Sequence, residues 1–451
     1  MRRTPLRSPA ADWAAVAAIM ALGVAVIMVL GVAVRALAAA TPTKALPPPP
    51  IQLVESVPVE SGLGNPDLPA AADVWVEMID TARRSLDVEQ FYLSHWPGEP
   101  TGPVLDAIGR AAKRGVHVRL LLDARMFATY PSPADSLGRL PGVELRQIDM
   151  KKISGGGVQH GKCMVVDGEQ VFVGSQNLDW RALKHIHELG VRARDRRIAD
   201  LFLRVFESDW RASAPEGAAA TSGDGGGAGP AGLAASGPIP PLPLRLIQTL
   251  GDTVEVWPSF NPRGHIPDAS LWDRDAVVGR IDAARHEIVV QLLTYGLGRA
   301  SEHDSTIDEA LRRAASRGVR VKLLVSDWEA DNGRIADLQR LSQVANVEAK
   351  LSTVPEWSGG YIPFARVEHC KYMVVDTLWT WVGTSNWEPD YFLSSRNAAL
   401  TMRNRPIARQ ARAIFETSWR SPIAQVLRPD RTYVPKVHRE TPPPGRATYG
   451  R

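Results

Sequence analysis

Cysteine is almost missing: the chain has two in 451 residues. That scarcity excludes a disulfide-dense secreted scaffold and a cysteine-rich structural zinc site. A dominant charge is missing too. Lys and Arg total 53 against 49 Asp and Glu, a balance of +4, too small an excess for a protein that packages nucleic acid. With 44% hydrophobic and 23% charged residues, wholesale disorder and a collagen-like chain are excluded as well. The length exceeds one ordinary domain and predicts two to three units, each with material for a core.

One long uncharged run is present. Trp13–Val34 carries neither a charge nor a proline over 22 residues and follows Arg2, Arg3 and Arg7. As a helix it would span about 33 Å, enough for the hydrocarbon core of a bilayer. Secretory h-regions are shorter, about 7 to 15 residues. The run therefore reads as a transmembrane signal anchor, with residues 1–12 in the cytoplasm and the rest of the chain outside. Cleavage after the small residues Ala38–Ala40, giving a secreted form, stays open. Residues 35–55, with the run TPTKALPPPP, read as a stiff linker.

An internal repeat organises the remainder. HGKCMVVD at His160–Asp167 returns as HCKYMVVD at His369–Asp376, 209 positions later. GSQN at Gly174–Asn177 answers GTSN at Gly383–Asn386, and FESDW answers FETSW at the same offset. Upstream, AKRGVHVRLL matches ASRGVRVKLL at a slightly different offset. A period near 200 residues is far above that of solenoids, so it marks two duplicated domains. Their expected spans are 56–212 and 244–425, with a flexible Gly/Ala/Pro loop over 213–243 and a tail over 426–451.

Each half alternates helical and extended patterns, which predicts α/β units around a mixed sheet. In the first half the periodicity predicts a helix over Val74–Arg84, a strand over Leu86–Leu93, a helix over Val104–Arg114 and a strand over Val116–Leu122.

Val158–Val166 reads as a strand that puts His160 and Lys162 on one face. An imidazole can attack phosphorus or move a proton, and an ammonium beside it neutralises the non-bridging oxygens of a phosphate. Asp167-Gly168 is a turn signal, so Val171–Gly174 should return beside the first strand and bring Ser175 and Asn177 next to His160. Asp167 lies on the opposite parity, which suits orienting its neighbours better than touching a substrate. The second copy supplies His369, Lys371, Asp376, Thr384 and Asn386 in the same roles. Duplicated polar quartets on strands are costly to bury without a purpose.

The paired H-x-K-x4-D with a downstream G-[ST]-x-N resembles the signature of the phospholipase D superfamily, over roughly residues 51–425. The resemblance implies two similar α/β/α sandwich domains with mixed sheets, related by a pseudo-two-fold axis, sharing one active site. It implies a phosphodiesterase in which one histidine forms a covalent phosphohistidine, the other serves as acid and then base, and no cofactor or metal takes part. Lys162, Lys371, Asn177 and Asn386 would hold the phosphoryl oxygens. His160 and His369 share the two histidine roles without a unique assignment. GSQNLDWRALKHIHELGV and VGTSNW are similar to a membrane-anchored animal subgroup with lysosomal members that act as five-prime exonucleases on single-stranded DNA and RNA; some are linked to phospholipid transphosphatidylation. Glu188, eleven residues after Asn177, matches that subgroup and would orient a motif histidine, while Asn397 takes the corresponding place in the second copy. The two cysteines and the extra loop depart from the animal proteins, and the Ala/Arg/Pro-rich composition points to a bacterial relative. The partners implied are single-stranded nucleic acid or, alternatively, a phospholipid turned over by a hydrolase or a cardiolipin-synthase-like transferase.

Cys163 and Cys370 stand at non-equivalent positions of the two motifs and read as buried free thiols. His185-x-His187-Glu188 lacks the further ligands of a metal site. Tyr92, Trp96, Trp180, Trp357, Tyr361, Trp387 and Tyr391 are candidates for stacking bases or for packing a core. Arg192, Arg194, Arg196 and Arg197 could follow a phosphate backbone or form a solvated face.

Overall fold

Valine and leucine runs that are buried on both faces form the central strands of two sheets, as parallel strands require. The computed structural model describes residues 48–213, 237–249, 251–299, 302–434, 442, 448 and 449. The anticipated anchor at 13–34 and most of the 213–243 loop lie outside them. No helix among the described residues is long and apolar enough to cross a membrane. Residues Pro49–Arg451 form one unit.

The first half contributes β1 (Ile51–Ser56), β2 (Ser85–Gln90), the short β3 (Leu93–Ser94), β4 (His117–Asp123) and β5 (Val143–Ile148). It continues with β6 (Cys163–Val166), β7 (Gln170–Gly174), the short β8 (Leu178–Asp179) and β9 (Glu188–Arg194). Seven of these make a sheet in the order β1-β9-β7-β6-β2-β4-β5, and β3 pairs with β8. The second half begins with β10 (Leu244–Thr249), β11 (Asp252–Asn261), β12 (Glu287–Leu292), β13 (Arg320–Ser326) and β14 (Val347–Ser352). It ends with β15 (Tyr372–Val375), β16 (Trp379–Gly383), β17 (Asn397–Arg403) and β18 (Ala424–Val426). Within its sheet the order β11-β17-β16-β15-β12-β13-β14 repeats that of the first half, with β10 and β18 added at the edges. The chain is thus a mixed α/β fold with two similar sheet-rich domains.

Helices cover both faces of each sheet. On the first, Ala71–Thr81 and Thr101–Lys113 bury Trp75, Met78, Val104 and Ile108 against Leu86, Val88 and Leu120. On its other face Arg196–Ala212 packs Ile198 and Phe202 into a cluster that also holds Val165, Val191, Val254, Val374, Leu400 and the second-half helix residues Ile407 and Phe415. One core therefore spans both halves. A buried aliphatic or aromatic side chain contributes about 1.5 to 3 kcal/mol, so the cluster's members together oppose separation of the halves.

Several sequence expectations shift by a few residues. The helix expected over Val74–Arg84 spans Ala71–Thr81, and that over Val104–Arg114 spans Thr101–Lys113 and stops before Gly115, whose φ is 84°. Residues 51–55, read as linker, pair in β1 with β9. The motif strand is shorter than expected: β6 starts at Cys163, leaving His160 and Lys162 in the extended approach to it. Within its own sheet that approach keeps the bond from Gly174 N to the Lys162 carbonyl at 3.3 Å, and further upstream it turns to the other half. Gln159 bridges Arg396 of the second half, and His187 bridges Glu368 in the equivalent place. Gly157, just upstream, has φ 73°, and a Cβ there would stand 2.6 Å from the backbone of Ser394 and Ser395, so only glycine admits this approach of the halves.

Candidate active site

The bridges between the halves decide which side chains meet. Because Gln159 lies against Arg396, the next residues along, His160 and Asn397, become neighbours: His160 Nδ1 is 3.1 Å from Asn397 Oδ1. By the same pattern His369 Nδ1 is 2.7 Å from Glu188 Oε2. Each motif histidine is held by a residue of the opposite half.

The lysines are equally constrained. Lys162 Nζ donates to the carbonyl of His160 and Lys371 Nζ to that of His369, both at 2.8 Å, and both side chains are fully buried. Burial and the second ammonium push Lys162 well below the ordinary lysine range, while burial takes Lys371 down to about 8 against the pull of Glu188. Burial first, then the ammonium groups of Lys162 and Lys371, push both imidazoles well below their usual range. His160 also acts electrostatically on His369, which places the two rings in one field. Burial holds the Glu188 carboxyl well above the ordinary carboxylate range, although Lys371 opposes it. Two ammonium groups buried this close need an anion, and a phosphodiester supplies one.

Ser175 was expected beside His160; it sits instead with Glu188 and His369. Its hydroxyl accepts from Leu189 N at 3.0 Å, and Glu188 feels its hydrogen bond. Thr384 Oγ1 donates to Asn397 Oδ1 at 2.8 Å. The reason is again the meeting of the halves: β7 and β16 deliver these hydroxyls to β9 and β17, whose first residues serve the other half's histidine. Asn177 and Asn386 are buried, and each leaves its Oδ1 without a partner. An amide has a donor and an acceptor end, so either residue can present what a phosphate oxygen needs.

Asp167 and Asp376, grouped with the catalytic residues by the motif, are far from that role. They follow the distal ends of β6 and β15 in the left-handed region, φ 56° and 53°. Asp167 accepts from the amides of Arg83, Arg84 and Ser85 at 2.7–3.2 Å. Asp376 does the same for Arg285, His286 and Glu287 at 2.8–2.9 Å. They fasten the start of the neighbouring strand and touch no reacting group.

Beneath the motif residues lies a further buried group of charges whose partners no spacing along the chain indicates. His187 lies between Glu368, 2.8 Å from Nδ1, and Glu55, 2.9 Å from Nε2, all buried. Burial disfavours the charged ring, but the two carboxylates overcome it and hold His187 up at about 10. Cys370 completes a group of donor type, yet both ring nitrogens are taken by carboxylates, which describes an imidazolium and not a metal ligand. Its counterpart in the repeat is Arg396, bound to Asp209 at 2.6 and 2.7 Å. His185 goes elsewhere: it contacts Trp180 and Trp357, both its nitrogens lack partners, and burial, then Lys184 and Arg366, pushes it down to about 3. Both cysteines are buried and free.

Trp180, Tyr361 and Trp387 are core residues, and the arginine run is consumed locally. Arg192 meets Glu77 and Gln170, Arg196 meets Glu169, and Arg197 meets Asp195. Phe91, which the sequence reading passed over, lies 5.0 Å from the His160 ring, and Tyr391 lies 4.8 Å from it on another side. The adjacency of Phe91 to the end of β2 was the available signal.

The family model described as "Cardiolipin synthase, PLD-like domain" matches residues 75–210 and 277–419, one match on each half. The chain belongs to the phospholipase D superfamily. It is an enzyme of the phosphodiesterase type. Among relatives of this superfamily member, phospholipase D Z of Dictyostelium discoideum is 30% identical over 392 residues, covering 83% of this chain and 90% of that protein. The mouse protein "5'-3' exonuclease PLD4" is 31% identical over 420 residues, covering 83% and 79%. A phosphatidylserine synthase from Haemophilus influenzae superposes with a TM-score of 0.54 at 13% identity, covering 79% of this chain and 85% of that one. This last likeness concerns the fold alone.

Proposed function

We propose that this phosphodiesterase works through a covalent phosphohistidine and that its substrate is single-stranded nucleic acid. The observation that carries the mechanism is the unequal support of the two rings. Asn397 Oδ1 already accepts from Thr384, and Nδ2 donates to Tyr391 O at 2.8 Å. The amide is thereby fixed, His160 must donate from Nδ1, and its Nε2 keeps a lone pair. His160 is the nucleophile. His369 faces a carboxylate instead, which favours carrying and passing a proton. An incoming phosphate anion offsets the two ammonium groups that otherwise keep His369 neutral.

In the first step His160 Nε2 bonds to phosphorus, the bond to the leaving oxygen breaks, and His369 gives that oxygen a proton. In the second, His369 takes a proton from water, the oxygen of that water bonds to phosphorus, and the P–N bond breaks. Lys162 and Lys371, with Asn177 and Asn386, hold the non-bridging oxygens. The chain itself thus supplies the positive charge, and turnover should survive EDTA.

The nucleic-acid assignment is supported by similarity to the mouse exonuclease and by the aromatic rings beside His160. Phospholipid is the second reading, favoured by the description of the matching family model. We place the enzyme on a membrane with its catalytic halves outside the cytoplasm, on the strength of the uncharged run at 13–34; release of the full chain by carbonate extraction would oppose this.

Incubation with a five-prime-hydroxyl oligonucleotide, and separately with phosphatidylglycerol and phosphatidylcholine vesicles, tests the substrate. Stepwise nucleotide release is expected; free head group or cardiolipin with an intact oligonucleotide would reverse the assignment. With bis-p-nitrophenyl phosphate, whose leaving group needs no acid, His369→Asn should accumulate an acid-labile phosphoenzyme and His160→Asn should form none. The opposite pattern would exchange the two roles.

A further inference from the structure

The two catalytic histidines have unlike walls. His160 is flanked by Phe91 and Tyr391, whereas the strand register gives His369 the counterparts Leu293 and Ala182. No aromatic ring contact to His369 occurs among the described residues.

From Phe91 the rings continue outward. Phe91 meets Tyr92 at 5.6 Å between centroids, and Tyr92 stacks on Tyr130 at 5.3 Å and 28°. All three are only partly buried. Tyr130 then lines a cavity of about 920 Å³ between the helices Thr101–Lys113 and Ser132–Gly138, with Ser94, His95, Lys113, Thr129 and Ser132. Lys113 is exposed and has no acidic partner among the described residues; Arg110, also at the cavity, is engaged by Asp80, and the acidic side chain there is Asp106. Elsewhere in the first half Arg125, Lys151 and Lys152 are also exposed. In the second half the segment after β13 opens with Asp327-Trp328-Glu329. Its neighbour Glu388 comes from the second motif's flank, bound to Thr294 and Arg334.

We propose that the polynucleotide extends from the scissile phosphate over the first half alone, with its bases laid along Phe91, Tyr92 and Tyr130 and its following nucleotides in the cavity that Tyr130 lines. This rests on the nucleic-acid reading given above. Every base has an apolar face that an aromatic ring can meet, and the backbone phosphates between bases favour a basic rim over an acidic one. The cavity joins apolar side chains, Leu105, Leu137, Leu140, Pro131 and Pro133, to serines, a threonine and a histidine, so a base can lie on the first set while sugar and phosphate groups meet the second.

The test compares kcat/KM on a thymidylate dodecamer with kcat/KM on bis-p-nitrophenyl phosphate, a diester too small to reach the cavity. Tyr130→Ala, and separately Ser132→Trp to fill the cavity from an exposed position, should each lower the ratio of the two by about tenfold or more, mainly through KM for the dodecamer. An unchanged ratio in both variants overturns the proposal. So does a loss confined to phosphatidylglycerol hydrolysis, which would make the cavity an acyl-chain site. A wild-type enzyme that hydrolyses the small diester and leaves every oligonucleotide intact would instead remove the nucleic-acid reading itself.

Discussion

The two halves share strand order, motif and hydroxyl positions, yet they surround their histidines differently. In one place Glu188 supports His369; in the matching place Asn397 supports His160. One layer below, the cation that ties the halves is His187 between two carboxylates in one case and Arg396 on Asp209 in the other. The duplicated backbone fixes where groups stand, and single substitutions on it separate a nucleophile from a proton carrier. Two chemically identical imidazoles acquire distinct tasks through neighbours that differ by a carboxylate and an amide.

The comparison breaks most completely at the histidines themselves. His160→Ala and His369→Ala should each cost about 10⁴-fold or more in turnover of bis-p-nitrophenyl phosphate, since groups acting as one unit are strongly non-additive. Near-normal rates in either variant would mean that the halves do not share a site.

At the buried cations the expected effect is on stability. Removing His187 leaves Glu55 and Glu368 facing each other, so His187→Gln should cost about 3 to 5 kcal/mol in urea unfolding. The wild-type ring has its folded pKa raised to about 10 from 6.5. Its contribution is therefore complete below about pH 6.5 and lost as pH rises through 10. His187→Arg, which copies the second half, should keep the cation and flatten the decline between pH 7 and 10. An equally steep decline in that variant would show that another group sets it.

The partner asymmetry gives a smaller, sharper test. Glu188→Gln should lower kcat by about 100-fold through weakened proton transfer. Asn397→Asp places a carboxylate beside His160, raises the pH at which that ring loses its proton, and should move the rising limb of the kcat/KM profile toward alkaline pH. An unmoved limb would contradict the nucleophile assignment. The smallest effect belongs to the arginine run: Arg196→Gln and Arg197→Gln, in exposed pairs, should shift the unfolding free energy by no more than about 0.5 kcal/mol and leave oligonucleotide affinity within about twofold.

Local patterns carried much of this. The spacing of Asp167-Gly168 foretold the hairpin of β6 and β7, and the apolar periods foretold the helices and strands upstream to within a few residues, because turn preference and amphipathicity act over a handful of neighbours. Parity also put Asp167 among groups that orient their neighbours, as its bonds to the Arg83–Ser85 amides bear out, but Ser175 went astray for a related reason. Strand parity says which face a side chain takes but nothing of what lies across from that face, and the motif strand proved too short for parity to govern His160 at all.

By itself the sequence determined the duplication, the set of histidines, lysines and asparagines, and the superfamily they mark, since these are statements about order and spacing along one chain. Only the tertiary structure decided that Glu188 belongs to His369 and Asn397 to His160. Those partners are 181 and 237 residues apart, and they meet because two sheets bridge at Gln159 and His187, a contact set by packing between the halves that no local spacing records.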